Sequence, residues 1–212
     1  MSSPAITLQP PSKYASSSSS SSPTPAPDGG PSAELLHRTW SVTHSTLSMW
    51  RTARNVRITY KPLPPSSSSA ARMDDLVEYE SRDGEGGVKS VAGVDTASAG
   101  GTANTSWDWR GKGLLFFVTS HWEVLGWGER PLASSGHDDN GGGAERWAVT
   151  WFAPTLFTAE GLDIYCDRPE GLSDETAALV LAALKDMGVE ELAAMVEKDM
   201  QPVEISLPWK TK

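Results

Sequence analysis

Three residue types in this 212-residue chain carry groups that can hydrogen-bond a guest or move a proton: two histidines, one tyrosine and a glutamate, all in strand-like settings. His44 ends the run "RTWSVTHS" (38–45), Tyr60 lies in "NVRITYKP" (55–62), and His121 and Glu123 share "SHWEVLGWGERP" (120–131). A histidine or a phenol can donate to a carbonyl oxygen, and histidine can also carry a proton near neutral pH. His44, His121 and Tyr60 are therefore the candidate catalytic donors, weighed against an ordinary structural role for each histidine. Two histidines and Glu123 could in principle hold a metal, but there is no HxH, CxxC or HExxH spacing, so no metal is expected. "WDWRGKG" (107–113) reads as a tight turn, without the glycine pattern or following helix of a phosphate loop; its Arg110 is placed to stack on an indole. Cys166 and the serines lack a nucleophile elbow such as GxSxG. Neither a cofactor nor covalent catalysis is expected.

The second group is aromatic. Nine tryptophans stand against four tyrosines and four phenylalanines, and each brings a large rigid apolar face with one N–H to satisfy. Met49, Trp50, Trp109, Trp122 and Trp151 are the candidates to line a binding cavity, with Met49 and Trp50 on a loop over its mouth; a solidly packed core is the alternative. Trp122 and Trp127 are an odd number of positions apart, so an unbroken strand points them to opposite faces. Either the strand is covered on both sides, Trp122 inward and Trp127 beneath a helix, or a bulge changes its facing. Leu114, Phe116 and Val118 share the parity of Trp122 and favour Trp122 inward.

These side chains must be positioned by strands. Period-two alternation runs through 38–45, 55–62, 73–81, 87–95, 105–112, 146–157 and 161–168, while 113–129 is either two strands or one bulged strand. Low-complexity stretches at 62–71, 95–106 and 132–145 read as surface loops. Helical grammar follows: Ser173 as N-cap with Asp174 and Glu175 in the first turn, Gly188 as terminator, a second helix over 189–200, and an extended end. The expectation is a disordered Ser/Pro-rich tail over 1–33, then a mainly β domain over 34–212. That domain is an antiparallel up-and-down barrel with C-terminal helices at 173–200, with a β-sandwich as runner-up. Eight strands close a barrel about wide enough for one small ligand.

Bulk properties narrow the partners. A net charge of −9 argues against nucleic acid. Arg51, Arg54, Arg57 and Lys61 read as a solvated strand edge. One cysteine permits no intrachain disulfide. No segment approaches the ~20 apolar residues of a membrane span, and the N-terminus shows no secretory or mitochondrial leader pattern. A cytoplasmic protein without a membrane partner is expected.

"TWSVTHSTLSMWRTARNVRITYKPL", "DDLVEYES", "GVDTAS", "WDWRGKG", "SHWEVLGWGE", "WAVTWFAPTLFTAEGLDIYCDR" and "LSDETAALVLAALK" resemble a family of small fungal lipocalin-like proteins, over residues 36 to 187. The resemblance implies a calycin-type barrel around an apolar calyx. "RTW" stands where lipocalins often carry G-x-W, with Arg38 in place of the glycine. Some members of that family are pericyclases that guide an intramolecular Diels–Alder reaction on a polyketide–amino acid hybrid, as in decahydrofluorene (pyrrocidine-type) biosynthesis. The implied partner is thus a hydrophobic polyene-type small molecule. A non-catalytic carrier of a hydrophobic metabolite is the alternative, and the resemblance assigns no catalytic residue.

Overall fold

The computed structural model describes residues 6–15, 30–64, 70–99, 104–132 and 143–211. The serine-rich stretch 16–29 and parts of the three low-complexity loops (65–69, 100–103 and 133–142) lie outside the described residues. Eight strands follow in order: β1 (Thr39–Ser45), β2 (Ala53–Leu63), β3 (Arg72–Ser81), β4 (Lys89–Ala97), β5 (Ser106–Gly111), β6 (Thr119–Pro131), β7 (Ala144–Phe152) and β8 (Gly161–Cys166). Each pairs antiparallel with the next, and β8 returns to β1 in the register Ser41↔Cys166, Val42↔Tyr165. The sheet is thus a closed up-and-down barrel, which leaves its eight strands no free edge. A short β9 (Gln201–Pro202) adds to β1.

Alternation sorts side chains onto two apolar faces. The inner cluster joins Trp40, Val42, Ile58, Tyr60, Met73, Trp107, Trp122 and Tyr165. The outer cluster joins Leu125, Trp147, Val149, Trp151, Leu162 and Ile164 on β6–β8. Two C-terminal helices, α2 (Asp174–Lys185) and α3 (Glu190–Asp199), cover it with Val180, Leu184, Leu192 and Val196, after a short α1 (Ala33–Leu36) ahead of β1. Full burial of side chains this size contributes roughly 1.5–3 kcal/mol each, so β6–β8 are anchored from both sides. Ser173 caps α2 by accepting from Thr176 N–H, and donates its own N–H and hydroxyl to the buried Glu145 of β7. That bond ties the helix start to the barrel wall.

Of the three register shifts in the barrel, one of them between Arg54 and Arg57 where β2 meets β3, two decide which way the candidate side chains point. The β6–β7 register shifts between Val124 and Gly126. Trp122 and Val124 belong to the inner cluster, Leu125 turns to the outer one, and Trp127, opposite Ala148, returns to the inner face. The inserted residue reverses the phase, so Trp122 and Trp127 both face inward, and Trp127 is not beneath the helix. A second shift lies between Val42 and His44 on β1.

Other expectations change as well. Residues 113–118 form no strand: Gly113–Leu115 is a 3₁₀ turn, and Leu114 and Phe116 are exposed on a loop, so their parity says nothing about Trp122. Residues 6–15 pack, although they fall within the expected disordered tail. Ile6, Leu8 and Tyr14 lie on the outer cluster, Gln9 N–H donates to Leu125 O at 2.8 Å, and the Ser12 amide donates to Glu123. The bulge frees the Leu125 carbonyl for that bond, and the bare Gly126 lets Leu8 approach. The arginine group is not a solvated edge. Arg57 is 5% exposed, pairs with Glu78, donates to Lys210 O and lies over the Trp209 ring at 5.1 Å. Arg51 donates to the Asp199 carbonyl, and Arg54 pairs with Glu80. Together they clamp the C-terminal segment to the barrel. Among the described residues Arg110 stacks on no indole; it donates to Phe116 O and braces the β5–β6 loop. Among the described residues, no helix is long and apolar enough to cross a membrane.

Candidate functional site

The barrel interior holds a cavity of about 440 Å³. Its walls come from Ile58 and Tyr60 on β2, Asp75 and Val77 on β3, Trp109 on β5, Ser120 and Trp122 on β6, and Phe152 on β7. Its mouth lies at the end where the β1–β2, β5–β6 and β7–β8 connections converge, contributing Leu47, Met49, Trp50, Phe117 and Phe157. The first of these connections is the 3₁₀ turn Ser48–Thr52, which buries Trp50 and leaves Met49 half exposed. Leu47 sits against bare Gly161, where a Cβ would lie 2.3 Å from it. Around the opening, Leu114 (91% exposed), Phe116, Phe117, Leu156 (96%) and Phe157 form an apolar rim, and patches of that kind mark binding surfaces.

One wall is a stack of rings. Tyr60 and Trp122 are nearly parallel with centroids 5.6 Å apart, and Trp122 continues onto Trp107 at 6.1 Å. Trp50 meets Tyr79 edge-on at 5.6 Å near the mouth. Trp109 occupies the space over Gly93 of β4, where any Cβ would come within 2.0 Å of its Nε1. Glycine is needed there because an indole replaces its side chain. Stacked rings of this size are locked by packing, so the wall is rigid.

Tyr60, Met49, Trp50, Trp109 and Trp122 all line this cavity; Trp151, His44 and His121 do not. Trp151 shares the outer cluster with the helices, and its indole N–H donates to Glu160 at 2.7 Å. The β1 bulge turns His44 outward opposite Ile164 and Pro202, where burial lowers its pKa. His121 pairs with Asp108 across β5–β6 on the outer face. Its Nδ1 lies 2.8 Å from the Asp108 carboxylate and its Nε2 3.3 Å from Glu123. Both histidines follow strand parity once the bulges are counted.

Besides Tyr60 and a few hydroxyls, the polar groups inside are acids that carried no expectation from the sequence. Asp75 faces the cavity from β3 at 7% exposure, and its Oδ1 has no hydrogen-bond partner among the described residues. Asp95 of β4 is fully buried and accepts the Trp122 indole N–H at 2.8 Å. Asp163 of β8 also lines the cavity and accepts the Ser45 hydroxyl. Burial, reinforced by Asp95 and Asp74, pushes the Asp75 carboxyl well above the usual carboxylate range. Burial likewise raises Asp95 to about 7 against the Trp122 bond, and Asp163 to about 7 against the Ser45 bond. A signal was available: Asp75 shares its parity with Met73, Val77 and Tyr79, and Asp95 with Val91 and Ala97. An acid in the apolar phase of a strand is the feature to look for.

These features define an eight-stranded up-and-down β-barrel with an aromatic-walled interior cavity open at one end. Among solved structures the chain is similar to apocrustacyanin C1, with 11% identity, 82% of this chain and 79% of that chain covered, and a TM-score of 0.49. It is also similar to the siderocalin Ex-FABP, described as functioning through dual ligand specificities, with 7% identity, 82% and 96% covered, and a TM-score of 0.45. Both are lipocalin/calycin-family proteins. No protein-family model matches the chain, and no curated protein does. At these scores the strand pairing, rather than the likeness, defines the barrel.

Proposed function

We propose that the protein binds an apolar small molecule inside the barrel, admitted between the Ser48–Thr52 turn and the β5–β6 and β7–β8 loops. The observation that carries this reading is the 440 Å³ cavity with its ring-stacked wall, opening onto an apolar rim. Ligand sites of this kind are concave, mostly apolar and largely preformed, with a few fixed polar groups.

Within this reading we favour intramolecular cyclisation of a bound polyene over simple carriage. The support is the resemblance to fungal lipocalin-like pericyclases together with the rigid wall of Tyr60, Trp109 and Trp122. A wall locked by stacking holds a flexible guest in one folded conformer, and that removes torsional freedom otherwise lost on the way to the transition state. The reaction is a rearrangement of the guest's own π bonds, so the residues' part is to shape, orient and polarise it.

Two measurements test the two levels. Titration with β-ionone, an apolar ketone, quenches tryptophan fluorescence if the interior takes a guest; an unchanged spectrum at millimolar ligand refutes binding. Incubation with a linear trienone bearing a terminal alkene returns cyclic product with a stereoisomer ratio different from that in buffer. Recovery of the trienone at the buffer rate and ratio leaves a carrier.

A further inference from the structure

Resting on the cavity as a binding site, we propose that its guest carries a carbonyl or similar acceptor oxygen, which accepts a hydrogen bond from the carboxylic acid of Asp75. Asp75 sits on β3 opposite Tyr60 on one side and the bare Gly93 on the other. Its carboxyl therefore reaches the interior between the phenol and the Trp109 indole. The side chain is more than nine-tenths buried, lines the cavity, and leaves Oδ1 without a partner among the described residues. A buried polar atom with nothing to bond to is costly, and a guest can supply what the protein does not.

The protonation state follows from what surrounds the group. Among the described residues lining the cavity there is no lysine, arginine or histidine. The other titratable groups facing the interior are Asp95, Asp163, Tyr60 and Tyr165, all of which are neutral or negative. The cation that acts on Asp75, Lys112, is engaged by Asp74, which neighbours Asp75 but points to the opposite face of β3. With no cation beside it in the cavity, and only the Trp109 indole and the more remote Lys112 opposing burial and the neighbouring acids, the carboxylate takes up a proton rather than stay charged. The raised pKa of Asp75 has the same cause. A neutral carboxyl has one O–H to donate, and the complement of a donor is an acceptor.

Asp75 is set apart from the other acids by facing the cavity with an unpartnered oxygen; Asp95 also leaves Oδ2 without a partner among the described residues, but away from the cavity lining. Asp95 receives the Trp122 indole and does not line the cavity, and Asp163 receives the Ser45 hydroxyl. Asp75 thereby takes the donor role for which His44 and His121 were candidates. A carboxylic acid kept neutral in an apolar pocket is an established way to polarise a carbonyl, and a carbonyl conjugated to a reacting alkene makes that alkene a better partner for a diene.

The experiment compares three probes of one skeleton at pH 7: β-ionone, its analogue with CH₂ in place of C=O, and the primary amine at the same carbon. The wild-type protein is expected to bind the ketone about tenfold more tightly than the hydrocarbon, with the C=O stretch of bound ketone shifted to lower wavenumber. Asp75→Leu should bind ketone and hydrocarbon equally, and Asp75→Asn, which keeps a donor, should retain the preference. Equal wild-type affinities with an unshifted stretch would overturn the proposal, as would a preference that survives Asp75→Leu. Amine binding tighter than ketone binding and lost in Asp75→Asn overturns it in favour of a carboxylate–ammonium site. Should Asp75→Leu fail to fold, the wild-type affinities and the carbonyl stretch decide alone. Binding of none of the three removes the cavity reading itself, and this proposal with it.

Discussion

Replacing Asp95 by asparagine should change how stability depends on pH, by an amount the structure sets. Asp95 is raised from 3.8 to about 7, chiefly by burial, with the carboxylates of Asp108 and Asp74 adding to the rise. Three pKa units at about 1.4 kcal/mol each come to about 4 kcal/mol. The folded state holds the proton more tightly than the unfolded state, so the stabilisation is complete below about pH 4. It is lost as pH rises towards about 7, because the unfolded carboxyl ionises freely while the folded one does not. In Asp95→Asn the amide oxygen still accepts the Trp122 N–H, and nothing titrates. Asp163 shifts in the same direction but is present in both proteins and cancels in their difference; Asp75, raised in part by Asp95, is relieved in the variant, which acts in the same direction as the loss of Asp95. Urea denaturation from pH 4 to 8 should therefore show the variant gaining about 4 kcal/mol on the wild type. With a slope of roughly 2 kcal/mol per molar urea, this separates the midpoints by about 2 M over that interval. Parallel pH profiles would show that Asp95 ionises as freely when folded as when unfolded, and would refute the dry, cation-free interior on which its protonation depends.

Gly93→Ala places a methyl group on the Trp109 indole, 2.0 Å from Nε1 in the present geometry. It should cost about 1–3 kcal/mol in urea unfolding and weaken β-ionone binding, because the indole must leave the wall; unaltered binding would mean that Trp109 does not shape the site. Arg57→Met removes the guanidinium between Glu78, Lys210 O and Trp209. A loss of about 2 kcal/mol and faster proteolysis near residues 203–210 are expected, whereas an unchanged cleavage rate would show that the C-terminal segment is held by other contacts.

The strands were legible because alternation needs only neighbouring residues. "NVRITYKP" announces β2, and its inward set of Val56, Ile58 and Tyr60 is the set that packs. The α2 cap was equally legible, since Ser173 bonds Thr176 three residues on. Facing across 120–131 was not legible in the same way. Both bulges are defined by a partner strand 20 or more residues away, and each reverses every inference drawn beyond it from parity. His44 left the barrel's inner face and Trp127 turned onto it for that reason alone. Trp151 was misplaced for a related one: β7 alternates cleanly, but its two phases are both apolar, one facing the cavity and the other the helices.

From its sequence alone this protein's strand succession, its helix caps and its wealth of indoles could be read, because propensity, parity and composition are properties of the chain itself. Tertiary structure decided which indoles face the hollow, that three aspartates share the interior, and that arginines from a presumed edge hold down the C-terminus. Those outcomes depend on register and burial. Both are set by what lies opposite a residue in space, so the same aspartate is a solvated charge in one register and a dry acid in another.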